Sequence, residues 1–200
     1  MGFFTTYLRD TNMTWMKAIA LVLITISWTR TCAFADDHAH FAFPKGTLSV
    51  QTYGTYESGL GAYTNAASGV AGAGYYVFDN LSLSLEAQGY RVMQSSAHNA
   101  TMYGLSGVLR HHVLQFDRTT LFIDASFGPV EATERVPGGG TYFNFATRTG
   151  LGVTFQLREH LHLLGGVRYF HLSNARIEGS QRNPSINGIE GFLGLMWTFK

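Results

Sequence analysis

Charge is scarce in this chain. Asp, Glu, Lys and Arg make up 14 % of its 200 residues, against roughly 25 % in an ordinary soluble domain. The net charge of +1 offers no basic surface for nucleic acid, which is not expected as a partner. Cysteine occurs once, at Cys32, and proline 4 times. Beyond residue 35 no run of about 18 apolar residues exists, so no helix there can span a bilayer. What the chain does contain is aromatic and small: 15 Phe, 10 Tyr, 3 Trp and 23 Gly. Low charge with a mean hydropathy close to zero fits neither a helical membrane protein nor a typical soluble one.

The first 35 residues have the layout of a secretory signal. Lys17 supplies the positive end, Ala18 to Trp28 the apolar stretch, and Ala33-Phe34-Ala35 the small-x-small cleavage pattern. The apolar stretch falls short of the ~20 residues of a spanning helix, and Arg30 interrupts its end. Cleavage after Ala35 removes Cys32, which leaves no cysteine for a disulfide scaffold. The expected organisation is a signal peptide over 1–35, an N-terminal tail over 36–45 and one β domain over 46–200.

Alternation of period two dominates the remainder. Leu81, Leu83, Leu85, Ala87 and Gly89 alternate with Ser82, Ser84, Glu86 and Gln88. Phe143, Phe145, Leu151, Val153, Phe155 and Leu157 share one face, with Asn144, Arg148, Thr154, Gln156 and Arg158 on the other. Such a pattern marks strands with one apolar face. Eight stretches qualify: 46–56, 67–78, 81–95, 101–115, 119–134, 142–157, 160–177 and 187–200. Short connections at Asp79-Asn80, Asp117-Arg118 and Arg158-Glu159 alternate with longer ones rich in Gly, Asn and Ser. An even strand number with alternating short turns and long loops predicts an all-β fold, an eight-stranded antiparallel transmembrane barrel of the outer-membrane type. A soluble sandwich or lipocalin-like barrel is the rival architecture. Its strands would be shorter, and its polar face would carry more charge. Arg148, Arg168, Glu86 and Asp124 are expected to form a polar network inside the barrel.

The chemistry-bearing segment is Tyr169-Phe170-His171-Leu172-Ser173-Asn174-Ala175, followed by a polar loop and Asn187-Gly188-Ile189-Glu190. On a strand His171 and Ser173 point to the same face, continuing the row of Leu163, Val167 and Tyr169. If that row meets lipid, the pair lies on the outer wall near its outer end. Base beside hydroxyl is the arrangement that activates a serine, and Glu190 supplies a carboxylate at the same end. The row Ile189, Leu193, Leu195, Trp197 and Phe199 would turn Glu190 inward unless a bulge at Gly188 or Gly191 resets the phase. Glu178 is then the reserve acid. Asn183, Pro184 and Asn187 are expected to shape the loop. His160 with His162, and His111 with His112, are expected in an interfacial girdle rather than on a metal.

These motifs resemble the PagL-type lipid A 3-O-deacylases, most closely over the last 35 or so residues. The resemblance implies an eight-stranded barrel in the outer membrane of a Gram-negative bacterium. It further implies a carboxylic ester hydrolase that removes the 3-hydroxyacyl chain at position 3 of lipid A without a cofactor or metal. Its partners would be lipopolysaccharide and outer-membrane lipids, and a homodimer stays open. Carried onto this chain, Ser173 would be nucleophile, His171 general base, Glu190 the acid orienting it, and Asn174 an oxyanion donor. The alternatives are a non-catalytic barrel of the OmpX or OmpW sort, serving as adhesin or anchor, and a phospholipase or palmitoyl transferase on the same scaffold.

Overall fold

The computed structural model describes residues 42–59 and 64–200. The expected signal segment and residues 36–41 of the expected tail lie outside them. Eight antiparallel strands follow in order: β1 Leu48–Gly59, β2 Thr64–Phe78, β3 Leu81–Gln94, β4 Ala100–Phe116, β5 Thr119–Val136, β6 Thr141–Arg158, β7 Leu161–Ser173 and β8 Ile186–Phe199. Each pairs with its neighbours, and β1 pairs with β8 from Leu48↔Phe199 to Gly59↔Gly188, which closes the barrel. Closure leaves no edge strand, as a spanning sheet requires.

Alternation decides which way each strand faces. Leu85, Leu105, Leu151, Val167 and Leu193 point outward and are exposed, while their polar neighbours are buried. A soluble sandwich would do the reverse. Exposed aromatics gather at the two ends of this apolar wall. Tyr56, Tyr103, Tyr142 and Tyr169 stand towards the long loops; Tyr75, Phe78, Phe116 and Phe199 stand towards the short turns. Two aromatic girdles around an apolar band match an outer-membrane barrel. The tight turns end in residues that tolerate positive φ, Asn80 at 62° and Asp117 at 43°.

The lumen is filled. Asp124 accepts from Arg110 at 3.2 Å and from Arg168 at 2.6 Å, and Glu190 accepts from Arg148 at 2.6 Å and Arg168 at 3.0 Å. Glu86 accepts from Gln51 at 2.5 Å and Tyr53 at 2.6 Å, and Arg148 donates to Tyr90. Aromatic rings cap this network: Arg168 lies 3.8 Å from the Phe192 ring centre and Arg110 4.5 Å from that of Phe122. Glycines on the facing strands make room for them. A Cβ at Gly152 would overlap the Phe122 ring, and one at Gly194 would overlap Tyr53. The expected inner network of Arg148, Arg168, Glu86 and Asp124 is present.

Two expectations change. Strand seven was expected to reach residue 177 but ends at Ser173, because Ala175 and Arg176 adopt left-handed backbone (φ 53° and 64°) that no strand continues. The histidine girdle does not hold for His112 and His162, which are buried and point into the lumen. His112 bonds Thr120 at 2.6 Å and Tyr76 at 3.1 Å, and Phe43 packs against His112, His162 and Tyr76. The end of the N-terminal tail is therefore anchored inside the lower mouth.

Candidate active site

Strand β7 carries Tyr169, His171 and Ser173 on its outward face, in phase with Val167 below them. The β7–β8 ladder runs without a break from Leu161↔Trp197 to Leu172↔Ile186. It sets Asn187 opposite His171, and Glu190 opposite Arg168 three residues further down. Directly opposed residues on one face have Cβ atoms about 5 Å apart, so side-chain contact between His171 and Asn187 follows from the register.

The contact has one polarity. Asn187 Oδ1 lies 2.7 Å from His171 Nδ1, and an amide oxygen only accepts, so Nδ1 carries the proton. In neutral imidazole Nε2 is then an acceptor. It sits 3.0 Å from Ser173 Oγ, whose O–H donates to it. Tyr169 O–H donates to the same Asn187 Oδ1 at 2.6 Å. Two lines of donors thus meet at the amide oxygen, one from tyrosine and one from serine through imidazole, all on one outer face at the end of the barrel.

Of the expected site residues, the structure brings Ser173 and His171 together and leaves Glu190 and Asn174 out of contact with them. Glu190 is 0 % exposed and points into the lumen, where two arginines hold it. No bulge interrupts β8, so strand parity turns it inward, and its place beside His171 is taken by Asn187. The reserve acid Glu178 is on the loop, 3.8 Å from Arg182. Asn174 is buried on the inward face. Its Nδ2 donates to the Arg182 carbonyl at 2.8 Å and to Thr141 Oγ1 at 3.2 Å, and its Oδ1 accepts from Arg176 N–H at 2.8 Å. Its own N–H donates to Asn183 Oδ1 at 2.9 Å. Asn174 therefore fastens the strained corner after Ser173 and has no side-chain donor left for an oxyanion. Asn183 shapes the loop as expected, whereas Asn187 lies on β8 against His171, a contact that a loop assignment missed. Its signal was there: Asn187 shares the odd, outward parity of Ile189 and Leu193.

The wall beside Ser173 is aromatic. Phe145 is its partner on β6; Phe127 stacks on Phe145 with centroids 5.2 Å apart, and Phe143 meets it edge-on at 5.1 Å. From Phe143 a shallow outer hollow of about 800 Å³ continues across the small residues Gly69, Ala71 and Gly89 towards Tyr103 and Leu105. Among the described residues no group of three or more His, Cys, Asp or Glu could hold a metal ion.

Comparisons with solved structures bear on the fold. Neisserial surface protein A aligns with 15 % identity and a TM-score of 0.59 over 78 % of this chain and 100 % of its own. The outer-membrane enzyme PagL aligns with 17 % identity and a TM-score of 0.52 over 75 % and 99 %. The N-terminal barrel of Pseudomonas aeruginosa OprF aligns with 13 % identity and a TM-score of 0.50 over 78 % and 98 %. No curated protein sequence matches. The family model for lipid A 3-O-deacylase (PagL) matches residues 23–196, nearly the whole chain including His171, Ser173 and Asn187. With a closed eight-stranded barrel, a lipid-facing wall and that match, the chain belongs to the PagL family of outer-membrane lipid A 3-O-deacylases.

Proposed function

We propose that this chain hydrolyses the ester-linked 3-hydroxyacyl group at position 3 of lipid A, with Ser173 as nucleophile and His171 as general base. One observation carries the reading: His171 Nε2 faces Ser173 Oγ at 3.0 Å while Nδ1 is held as a donor by Asn187, on the wall that meets lipid. Ser173 Oγ attacks the ester carbonyl as its proton passes to Nε2. The resulting imidazolium returns that proton to the departing sugar 3-oxygen, which leaves an acyl-serine. Water then repeats the sequence, giving up a proton to Nε2, and the fatty acid departs as Ser173 recovers its hydrogen. Polar groups on a bilayer-facing rim are retained at a cost, which favours a functional role for them.

Asn187 stands where a carboxylate is the common choice. It orients the imidazole and accepts the Nδ1–H, but brings no negative charge. The oxyanion donor is assigned to the backbone. Ala175 is exposed two residues after the nucleophile, and the Asn174 bonds hold its left-handed corner. One well-placed donor is worth roughly 3–4 kcal/mol of barrier. Phe127, Phe143 and Phe145 offer a flat apolar bed for an acyl chain that stays in hydrocarbon while its ester comes in sideways. Ser173, His171 and Asn187 all come from one chain, so the reading does not require a homodimer.

The test is lipid A mass after expression of wild type, Ser173→Ala and His171→Ala. Loss of one 3-hydroxy fatty acid with wild type, and none with folded variants, is the expected result. A folded Ser173→Ala barrel that still deacylates would sink the serine mechanism.

A further inference from the structure

Asn187 raises a problem that a carboxylate would not. A carboxylate presents an acceptor oxygen whichever way it turns. An amide presents oxygen one way and NH2 the other. With Oδ1 towards His171, the ring proton sits on Nδ1 and Nε2 is free to take the Ser173 proton. With NH2 towards His171, Nδ1 must accept, the ring proton shifts to Nε2, and Nε2–H points at Ser173 Oγ. That second state cannot act as a base. Both states make one hydrogen bond between amide and ring and one between ring and serine, so His171 alone does not choose between them.

Tyr169 breaks the tie. It sits two residues before His171 on the same outward face, and its hydroxyl donates to the same Oδ1 that accepts the Nδ1–H, at 2.6 Å and 2.7 Å. A phenol oxygen shares its lone pair with the ring and is a better donor than acceptor. Contact with Tyr169 therefore favours the orientation with the amide oxygen towards His171. Tyr56, Tyr103 and Tyr142 stand at the same end as girdle residues; Tyr169 differs in having its hydroxyl tied to the site.

We propose that Tyr169 is a positioning residue that holds the Asn187 amide in the one orientation that keeps His171 a base. This rests on the Ser173–His171 reading above.

The test compares kcat and KM of the purified full-length chain, refolded in detergent, on lipid A. The set is wild type, Tyr169→Phe, Asn187→Asp, the double variant and Ser173→Ala. Without that bias the two orientations become equally populated, so Tyr169→Phe lowers kcat by up to about twofold, with KM unchanged. In the Asn187→Asp background, where both oxygens accept and there is no orientation to lose, the same substitution should leave kcat within about 1.2-fold of its parent. Asn187→Glu is the second carboxylate background, a check that the outcome does not depend on one side chain's geometry. Unchanged kcat for Tyr169→Phe on the wild-type background overturns the proposal. So does an equal loss in both backgrounds, which is also how a girdle or folding defect would read. Activity retained by Ser173→Ala would instead remove the serine mechanism, whatever Tyr169 does.

Discussion

Glu190 and Asn187 are three residues apart on β8 and face opposite sides of the sheet, so replacing each should break a different property. Glu190 is fully buried and accepts from Arg148 at 2.6 Å and Arg168 at 3.0 Å. Arg168 keeps Asp124 as a second partner at 2.6 Å; Arg148 has no other ion pair among the described residues and is left with the Tyr90 hydroxyl. Removing one member of a buried ionic group costs about 3–5 kcal/mol, mostly from the charge left behind. Glu190→Ala should therefore lower barrel stability by that amount, with the shared Asp124 keeping it towards the lower end. Asn187→Ala removes one acceptor from an imidazole that becomes charged during the reaction. Such a bond is worth about 1.5–3 kcal/mol, a loss of roughly 10- to 150-fold in kcat, while stability stays within about 0.5 kcal/mol because the position is only partly buried. The assays are urea unfolding of vesicle-embedded protein, followed by the gel shift between folded and unfolded barrel, and lipid A mass spectrometry on the folded fraction. The assignment of the third site residue fails if folded Glu190→Ala is inactive while Asn187→Ala deacylates at the wild-type rate.

Further outcomes follow from the same geometry. Ser173→Ala and His171→Ala should each remove at least about 10³-fold of activity and leave the heat-modifiable barrel intact on gels. Asn174→Ala strips buried bonds to Arg182, Thr141 and Arg176; it should destabilise the loop by about 1–3 kcal/mol and increase proteolytic cutting between residues 175 and 185. Planar-bilayer recordings should show no steady ion conductance, because side chains of Arg110, Arg148, Arg168, Asp124 and Glu190 occupy the lumen; an open channel would contradict that packing.

Much of this was legible in the chain. Strand number, the parity of the short and long connections, and the outward row through Val167, Tyr169, His171 and Ser173 all follow from period-two alternation, because a pleated strand has only two faces. The parity of β8 also placed Glu190 correctly: Leu193 and Ile189 outward require Glu190 inward, and the glycines at 188 and 191 add no bulge. What alternation cannot supply is register. Whether Asn187 or Glu190 lies across from His171 depends on where the β7–β8 ladder begins, and that depends on the loop. The loop in turn depends on Asn174, whose side chain ends β7 at Ser173 by bonding Arg182 and Arg176. Its neighbour sequence looks like a donor beside a nucleophile, and only its inward direction reveals the other task. His112 and His162 were misplaced for a related reason. Phe43, from a tail with no periodicity of its own, enters the lower mouth and gives both rings a packed partner.

With the proposed Ser173–His171 pair on the outer wall, a solid core also dictates how this protein meets its substrate. Nothing enters through the middle, and encounters happen by lateral diffusion within one leaflet. Turnover should then track the surface mole fraction of lipid A, not its concentration in the bulk. Diluting the substrate with inert detergent at constant total amount should slow the reaction in proportion.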